Sequence, residues 1–314
     1  MFEKITELIK QYNTVIIHRH KNPDGDALGS QIGLAECIRS AYPEKQVYTV
    51  GDAPGRFSFM EGSTPDVIAD SVYKDALAIV LDTSAAALIA DERYKTAAAS
   101  ARIDHHIFVE RICDEEVTDT SYESCCGLIT ELAIEAGWEL TPLAAKSLYC
   151  GMVTDSGRFR YDSTSSNTHR LASHLLSTKF DTNDIYRNLY ADDLAFVKLR
   201  ASFVLKIRIA APGVAYIYTD AAELAATGCD TFTVSRGMVN VMGDIKGIDI
   251  WVNFTEAEEG VLAELRSSRY NINPVAVAHG GGGHAKASGA RLKDKKEADA
   301  MLAELISLAQ KESV

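Results

Sequence analysis

The first half of the chain carries four short polar clusters in which aspartate and histidine stand close together. The clusters are His18-Arg19-His20-Lys21-Asn22-Pro23-Asp24-Gly25-Asp26, Leu81-Asp82-Thr83, Asp104-His105-His106 and Thr154-Asp155-Ser156. Carboxylate and imidazole groups are ligands for divalent metals, and acidic groups gathered at one place repel one another unless cations neutralise them. The clusters therefore predict a metal site, with enough ligands for two ions.

Short apolar runs lead into three of these clusters and predict the strands that position them. The runs lie at 14–17, 76–81 and 101–103, and helical patterns such as 143–153 lie between or after them. Strands that alternate with helices indicate a parallel α/β sheet, in which ligands gather at the carboxyl ends of the strands. Asp155 differs from the others because it follows a helical pattern.

The turn after the first predicted strand holds three candidate ligands, His20, Asp24 and Asp26, within seven residues. Pro23 and Gly25 suit a tight turn that brings the carboxylates together at little entropic cost. Asp24 and Asp26 need not point the same way, so each could serve a different ion. An Asn-Pro-Asp-Gly turn in which an aspartate caps the next helix explains the same residues without a metal, and both interpretations stay open.

His18 and Arg19 directly precede this turn. We expect His18 to be hydrogen-bonded to backbone, because no metal-binding partner is evident for it. Arg19 is expected to be solvated or to form a salt bridge.

The pattern of the chain changes after its middle, which indicates two domains. A chain of 314 residues is long enough to bury two separate cores. We predict a metal-binding domain over 1–190, a linker helix over 191–208 and a smaller mixed α/β domain over 209–314. A cleft between the two domains is expected to hold the substrate.

The composition limits the partners and the compartment. The net charge of −12 argues against long duplex nucleic acid as a partner, although it leaves room for a short anionic substrate held by cations. The six cysteines show no C-x-x-C spacing and are expected to be reduced thiols. Without an apolar run of membrane-spanning length or a signal peptide, the sequence predicts a cytoplasmic protein.

A glycine run, Gly280-Gly281-Gly282-Gly283-His284, forms a second kind of motif late in the chain. Glycines let backbone N–H groups approach an anion closely, and His284 could stack on a base. Arg266 and Ser267, at the end of a predicted strand, could grip a terminal phosphate, and Arg160 could clamp a phosphate near the metals. A flexible glycine loop with a surface arginine is the alternative, and without further information it is the simpler one.

Taken in order, these motifs resemble the DHH phosphoesterase superfamily, which is named for the triplet at 104–106. The resemblance extends through His-x-x-x-Asp-x-Asp at 20–26, the strand-end Asp82 and Thr-Asp-Ser-Gly-x-Phe-Arg at 154–160. The glycine run and the following Ala-Ser-Gly at 287–289 resemble the DHH-associated carboxyl-terminal domain. The match covers nearly the whole chain and is closest to the two-domain nanoRNases, which degrade very short RNAs and dephosphorylate 3′-phosphoadenosine 5′-phosphate.

The resemblance implies two Mn²⁺ ions per chain, with Mg²⁺ or Co²⁺ as alternatives. His20, Asp24 and Asp82 would hold the first ion. Asp82 would bridge to the second, whose other ligands would be Asp26, His105 and Asp155.

The resemblance also assigns the remaining roles. His106 would approach the substrate phosphate, and Asp104 would orient a histidine. The implied substrate-binding residues are Arg160, Arg266, Ser267, Gly281, Gly282, Gly283 and His284. One departure is Cys125-Cys126, where relatives often carry small hydroxyl residues; we expect it to affect helix packing or redox sensitivity without touching a ligand.

The predicted function is therefore a two-metal phosphoesterase that acts as an exonuclease on short oligoribonucleotides, on 3′-phosphoadenosine 5′-phosphate, or on both. A phosphodiesterase for cyclic dinucleotides or their linear products is the alternative within the same superfamily, and a non-catalytic nucleotide-binding module is the alternative from another class. Membrane partners are not expected, and a homodimer is left open.

Overall fold

The computed structural model describes residues 1–311, which divide into two compact units between Ala191 and Asp192. The first unit contains a five-stranded, all-parallel sheet with the strand order β2-β1-β3-β4-β5. Its strands are β1 (Thr14–His18), β2 (Gln46–Thr49), β3 (Ala76–Leu81), β4 (Ala99–Asp104) and β5 (Glu115–Thr118). Its helices are α1 (Glu3–Gln11), α2 (Gly25–Ala41), α3 (Cys125–Ala136), α4 (Pro142–Asp155), α5 (Ser166–Leu176) and α6 (Thr182–Tyr190).

Strand β3 lies in the middle of this sheet, and all six of its residues are buried. A strand that is buried on both faces is apolar throughout, which explains the run Ala-Leu-Ala-Ile-Val-Leu. Because the parallel strands β1, β3 and β4 are neighbours, the residues that follow them meet at one edge of the sheet.

Helices α2 and α4 pack very closely, and glycines make this approach possible. A Cβ at Gly33 would lie 2.5 Å from the Leu148 side chain, and one at Gly29 would lie 2.5 Å from the Ser147 carbonyl oxygen. Only residues without a side chain fit at such a crossing. The packing brings the start of α2 beside the end of α4, so that two predicted ligands, Asp26 and Asp155, come from facing helix ends.

The second unit contains a six-stranded mixed sheet with the order β10-β11-β9-β8-β7-β6. Within residues 192–311, the neighbours β7 and β8 run parallel, and the other neighbouring strands run antiparallel. The strands are β6 (Arg208–Ala211), β7 (Gly213–Thr219), β8 (Ile248–Ala257), β9 (Gly260–Ser267), β10 (Gly282–His284) and β11 (Ala287–Leu292). The helices are α7 (Leu194–Lys206), α8 (Ala221–Thr227), α9 (Thr231–Ser235), α10 (Asn273–Ala278) and α11 (Lys295–Lys311).

Two apolar clusters hold this second unit together. One lies between the sheet and α11, where Leu265 of β9 packs in the same cluster as Met301 and Leu305. The other includes Trp251 of β8 and Phe203 of α7, so the helix formed by most of the predicted linker segment packs on the second unit's own core. The predicted fold class, a parallel α/β sheet followed by a smaller mixed sheet, is confirmed. Among residues 1–311, every helix is too short or too polar to span a bilayer.

Candidate metal centre

The predicted ligands of the first unit converge at the carboxyl edge of its sheet. His20 comes just after β1, Asp82 directly follows β3, and His105 directly follows β4. Asp26 lies in the first turn of α2, and Asp155 is the last residue of α4. Side chains from four separate chain segments are therefore brought together by the order of the strands and by the packing of α2 on α4.

Asp82 lies at the middle of this arrangement and is almost completely buried. Its Oδ2 is 3.4 Å from His20 Nε2, while its Oδ1 is 3.5 Å from His105 Nε2. Asp24 Oδ1 lies 3.8 Å from the same nitrogen of His20. The two oxygens of one carboxylate thus face two different histidines.

A second group of ligands surrounds His105. Its Nε2 lies 3.8 Å from Asp26 Oδ2 and 3.4 Å from Asp155 Oδ2. Three sets of ligand atoms lie within 4.8 Å of one another and could each hold an ion: His20, Asp24 and Asp82; Asp26, His105 and Asp155; and Asp82, His105 and His106. The first set has the three residues that the resemblance implies for the first ion. The second set has three of the four residues implied for the second ion, and the fourth, Asp82, lies between the two sets.

The chemistry of the donor set fits divalent cations. Asp82 Oδ1 is buried and has no hydrogen-bond partner among the described residues. A buried carboxylate oxygen normally has a donor, since an unsatisfied one is costly. Asp82 also adopts a left-handed backbone conformation, with φ of 51°. A divalent cation would fit this position, because it would satisfy the buried oxygen of Asp82 and offset the charges of the neighbouring carboxylates.

Asp24 and Asp26 have different surroundings, although they are two residues apart. Asp24 caps α2, because its Oδ1 accepts hydrogen bonds from the N–H groups of Asp26 and Ala27, each at 3.0 Å. The capping interpretation of this turn is therefore correct, and it coexists with the position of Asp24 beside His20.

The carboxylate of Asp26 is held by backbone from α3. Oδ2 accepts a hydrogen bond from Cys125 N at 2.7 Å, and Oδ1 accepts one from Cys126 N at 2.8 Å. The expectation that Cys125-Cys126 does not touch a ligand is wrong. It failed because the contact is made by N–H groups, which every residue except proline carries and which therefore leave no mark in the sequence.

Asp104 and His106 form a pair beside the two ligand groups. Asp104 is fully buried, and its Oδ1 lies 2.8 Å from His106 Nδ1. If Nδ1 carries the proton that it donates to Asp104, Nε2 is left to face a ligand. The site opens onto a cavity of about 250 Å³, whose lining includes His20, Asp82, His106 and Asp155.

The acid–base properties of the site reflect its crowding. Burial alone would lower the pKa of His20 and His105, but the neighbouring aspartates raise these pKa values to about 11 and about 10. Burial and the charge of Asp82 raise the pKa of Asp155 to about 7 against the opposing effect of His105. Burial and the charges of Asp82 and Asp155 also raise the pKa of Asp26 well above its usual value. When no divalent cation is bound, these raised pKa values favour protonated histidine and aspartic acid side chains, and the protons reduce the negative charge of the site.

Two buried basic residues near the site were missed or misjudged from the sequence. Arg19 is completely buried, and it donates from Nε to Gln31 Oε1 at 2.8 Å and from Nη2 to the Asp52 carbonyl at 2.6 Å. The expectation that it is solvated is wrong. Arg102 is also fully buried and pairs with Glu116 at 3.1 Å. An arginine inside an apolar strand was the signal that could have found it.

The residues predicted to bind substrate lie in both units of the structure. Arg160 is exposed in the turn after α4. Arg266 is the second-last residue of β9, and its Nη1 lies 3.3 Å from Glu264 Oε2. The Ser267 hydroxyl donates to the Asp249 carbonyl at 2.9 Å and accepts from Tyr270 N at 2.7 Å, so it holds a turn.

The flexible loop considered as the alternative for the glycine run is wrong for its second half, because Gly282–His284 forms the edge strand β10. A Cβ at Gly281 would lie 2.1 Å from the Gly289 carbonyl oxygen, and one at Gly283 would lie 2.6 Å from the Ala287 carbonyl oxygen. These two glycines are required by the close pairing with β11. Around Gly282, in contrast, a Cβ would have open space, and His284 is exposed.

Comparison with known proteins identifies the family. The DHH family N-terminal domain matches residues 14–152, and the DHHA1 domain matches residues 227–311. The chain is 36% identical to the bifunctional oligoribonuclease and PAP phosphatase NrnA of Bacillus subtilis (strain 168), over 97% of this chain and 98% of that relative. The chain belongs to the DHH family.

Two further matches agree with this assignment. A bifunctional oligoribonuclease and PAP phosphatase NrnA of Mycoplasma genitalium is 34% identical, over 92% of each chain. The crystal structure of an exopolyphosphatase-related protein from Bacteroides fragilis superimposes with a TM-score of 0.84 at 26% identity, covering 98% of this chain and 97% of that one. The resemblance drawn from the motifs is thus confirmed. The relatives that align with nearly the full length of this DHH chain are named as phosphoesterases.

Proposed function

We propose that this DHH protein is a phosphoesterase that uses two Mn²⁺ ions to hydrolyse short oligoribonucleotides and 3′-phosphoadenosine 5′-phosphate. The observation that carries the proposal is the position of Asp82, whose two oxygens face His20 and His105 at 3.4 and 3.5 Å. One buried carboxylate between two ligand groups is the arrangement that a two-metal hydrolase requires. The names of the relatives supply the substrate class.

His20, Asp24 and Asp82 would hold one ion, and Asp26, His105 and Asp155, together with Asp82, the other. When bound, such ions lower the pKa of a water molecule and stabilise the charge that develops on the phosphate. The protein's own groups complete the site. His106, oriented by Asp104, would donate a hydrogen bond from Nε2 to a phosphate oxygen, and Asp155 and Asp26 would lose the protons that crowding favours.

The second unit would bind the end of the substrate. Arg266 would pair with a phosphate, the N–H groups of Gly282 and Gly283 would approach an anion, and His284 would stack on a base. The predicted contact from Gly281 is left out, because the N–H group of Gly281 already donates to the Ala276 carbonyl oxygen at 2.8 Å. Arg160 of the first unit would add a further positive charge near the metals. These few cationic groups and the ions would attract a short anionic substrate locally, although the whole chain carries a net charge of −12.

The proposed location is the cytoplasm. All six cysteines are free thiols, and five of them are buried. Unpaired thiols of this kind are usual where the environment is reducing.

The test is a panel of substrates. A series from di- to pentanucleotides with a 5′ label, 3′-phosphoadenosine 5′-phosphate and a cyclic dinucleotide would be incubated with and without Mn²⁺. We expect mononucleotide release from the short RNAs and phosphate release from the adenosine bisphosphate, both dependent on Mn²⁺. Turnover of the cyclic dinucleotide alone would replace the proposed substrate class, and no turnover of any member would refute the hydrolase.

A further inference from the structure

We propose that Glu123 and Thr168 are positioning residues for Asp26, and that they act through the first turn of α3. The inference rests on the proposed metal centre, in which Asp26 is a ligand. It assigns a role to two side chains that lie outside the DHH motifs and do not themselves face the ligand groups.

The direction of the Asp26 carboxylate is set by α3. The N–H groups of Cys125 and Cys126, the first two residues of that helix, donate to its two oxygens at 2.7 and 2.8 Å. With both oxygens held, the carboxylate cannot rotate freely, and Oδ2 stays 3.8 Å from His105 Nε2. Any shift of the first turn of α3 would therefore move a metal ligand.

A buried hydrogen-bond network fixes this first turn. Ser124 caps α3 by accepting from Gly127 N at 2.9 Å, and its hydroxyl donates to Glu123 Oε1 at 2.9 Å. The hydroxyl of Thr168 in α5 donates to Glu123 Oε2 at 2.7 Å. Glu123 and Thr168 are only 2% and 1% exposed. A carboxylate so deeply buried is costly, and the two hydroxyl donors that satisfy it join α5 to the start of α3.

The surrounding packing leaves the turn little room to adjust. A Cβ at Gly127 would lie 3.0 Å from Glu123 Oε1, so the glycine makes space for the carboxylate. A Cβ at Gly151 would lie 2.2 Å from Cys126 Sγ, which means that the thiol fills the gap left by a glycine of α4. The network and the packing together hold the two N–H groups at one position relative to Asp26.

The test compares Thr168→Val, which removes the hydroxyl and keeps the shape, with Thr168→Ser, which keeps the hydroxyl. Thr49→Val is the matched control, because Thr49 is a buried threonine whose side chain contacts Asp66 and not α3. Mn²⁺ binding to the purified full chain would be measured by calorimetry without substrate, and hydrogen exchange of the segment 119–130 would be measured without metal.

We expect Thr168→Val to lower the Mn²⁺ affinity of one of the two sites by about 10- to 100-fold, which is the usual effect of losing a partner that orients a metal ligand. The same variant should show faster hydrogen exchange at the start of α3. Thr168→Ser and Thr49→Val should bind as the wild type does. If Thr168→Val does not fold, Glu123→Gln, which keeps the side-chain volume, should show the same weakened site. Wild-type Mn²⁺ affinity in a folded Thr168→Val or Glu123→Gln protein would overturn the inference.

This readout separates the inference from the proposed function. A wild-type chain that binds two Mn²⁺ ions without hydrolysing any substrate of the panel would refute the hydrolase and leave the positioning role intact. A wild-type chain that hydrolyses short RNA while the variants keep full Mn²⁺ affinity would do the reverse.

Discussion

Asp104 Oδ1 and His106 Nδ1 lie 2.8 Å apart, and the contact sets the orientation of the imidazole. The Asp104 carboxylate also raises the pKa of His106, which favours a protonated ring able to donate to a phosphate oxygen. The adjacent histidine, His105, makes different contacts, because its Nε2 lies within 3.8 Å of Asp26, Asp82 and Asp155.

We therefore predict that Asp104→Asn lowers kcat by about 10- to 100-fold while Mn²⁺ affinity stays unchanged. His106→Ala should have an equal or larger effect, and the double variant should lose little more than His106→Ala alone, because Asp104 acts through His106. Steady-state kinetics of the three variants checks this. Fully additive losses would show that Asp104 has an independent role.

Because Asp82 lies between His20 and His105, we predict that Asp82→Asn lowers turnover by at least about 100-fold. Losing a residue that only orients a metal ligand costs up to about 100-fold, and Asp82 would itself be a ligand. Asparagine keeps the size and tolerates the left-handed backbone, so the change isolates the lost charge. In the wild type, Mn²⁺ at about 100 times its Kd should stabilise the fold by about 2.7 kcal/mol, visible as a rise in Tm.

The exposed Asp66→Asn variant is the control for Asp82, and it should respond to Mn²⁺ as the wild type does. Wild-type turnover of Asp82→Asn in the presence of added Mn²⁺ would remove the bridging role.

The raised pKa values of His20 and His105, about 11 and about 10, predict that metal binding releases protons. Both rings are protonated at pH 7 in the metal-free site, and a histidine ligand must be neutral. Affinity for Mn²⁺ should therefore fall as the pH falls, by roughly 10-fold per pH unit for each proton displaced. Calorimetry in two buffers with different heats of ionisation counts these protons; a heat that does not depend on the buffer would contradict the prediction.

The proposed substrate-binding residues of the second unit predict a different kinetic signature. Arg266→Ala and His284→Ala should each raise KM by about 10- to 100-fold, because Arg266 would lose a charge-assisted hydrogen bond of about 1.5–3 kcal/mol and His284 a stacking contact of about 1–3 kcal/mol. The change in kcat should be smaller, and Mn²⁺ affinity should not change. Arg291→Ala serves as the control, since Arg291 lies on the neighbouring strand β11 and pairs with Glu259. An unchanged KM for dinucleotides in both variants would place substrate binding elsewhere.

The thiols give a prediction that does not depend on activity. Burial raises the pKa of Cys37, Cys113 and Cys150 to about 12, and it also raises the pKa values of Cys125 and Cys126 well above the usual value of a thiol. Because the thiolate is the reactive form, only the half-buried Cys229 should react quickly with a disulfide reagent in the native protein. Titration before and after denaturation checks this, and Cys229→Ser should abolish the fast phase.

The sequence predicted that these polar side chains lie at the sheet edge, for a physical reason. A parallel strand buried on both faces must be apolar, so the point at which Leu81 gives way to Asp82, or Ile103 to Asp104, marks the strand end. Asp155 could be placed only at a helix end, and its approach to His105 depends on the close packing of α2 on α4, which local patterns do not reveal.

The sequence could not predict contacts made by backbone or by residues distant in the chain. The N–H groups that hold Asp26, and the link from Thr168 to Glu123, involve residues of ordinary type. Gly281 and Gly283 were predicted to bind an anion. Their close approach to β11 already excludes a side chain at both positions, so the glycines are explained without an anion. Arg19 was misjudged because a charged residue was assumed to reach water.

The ligands of the metal centre are spread from His20 to Asp155, and the last of them is added by the final residue of α4. A chain still being made on the ribosome would hold the early aspartates but not the one that completes the group around His105. The proposed metal centre would therefore be complete only after the whole sheet and α4 had emerged.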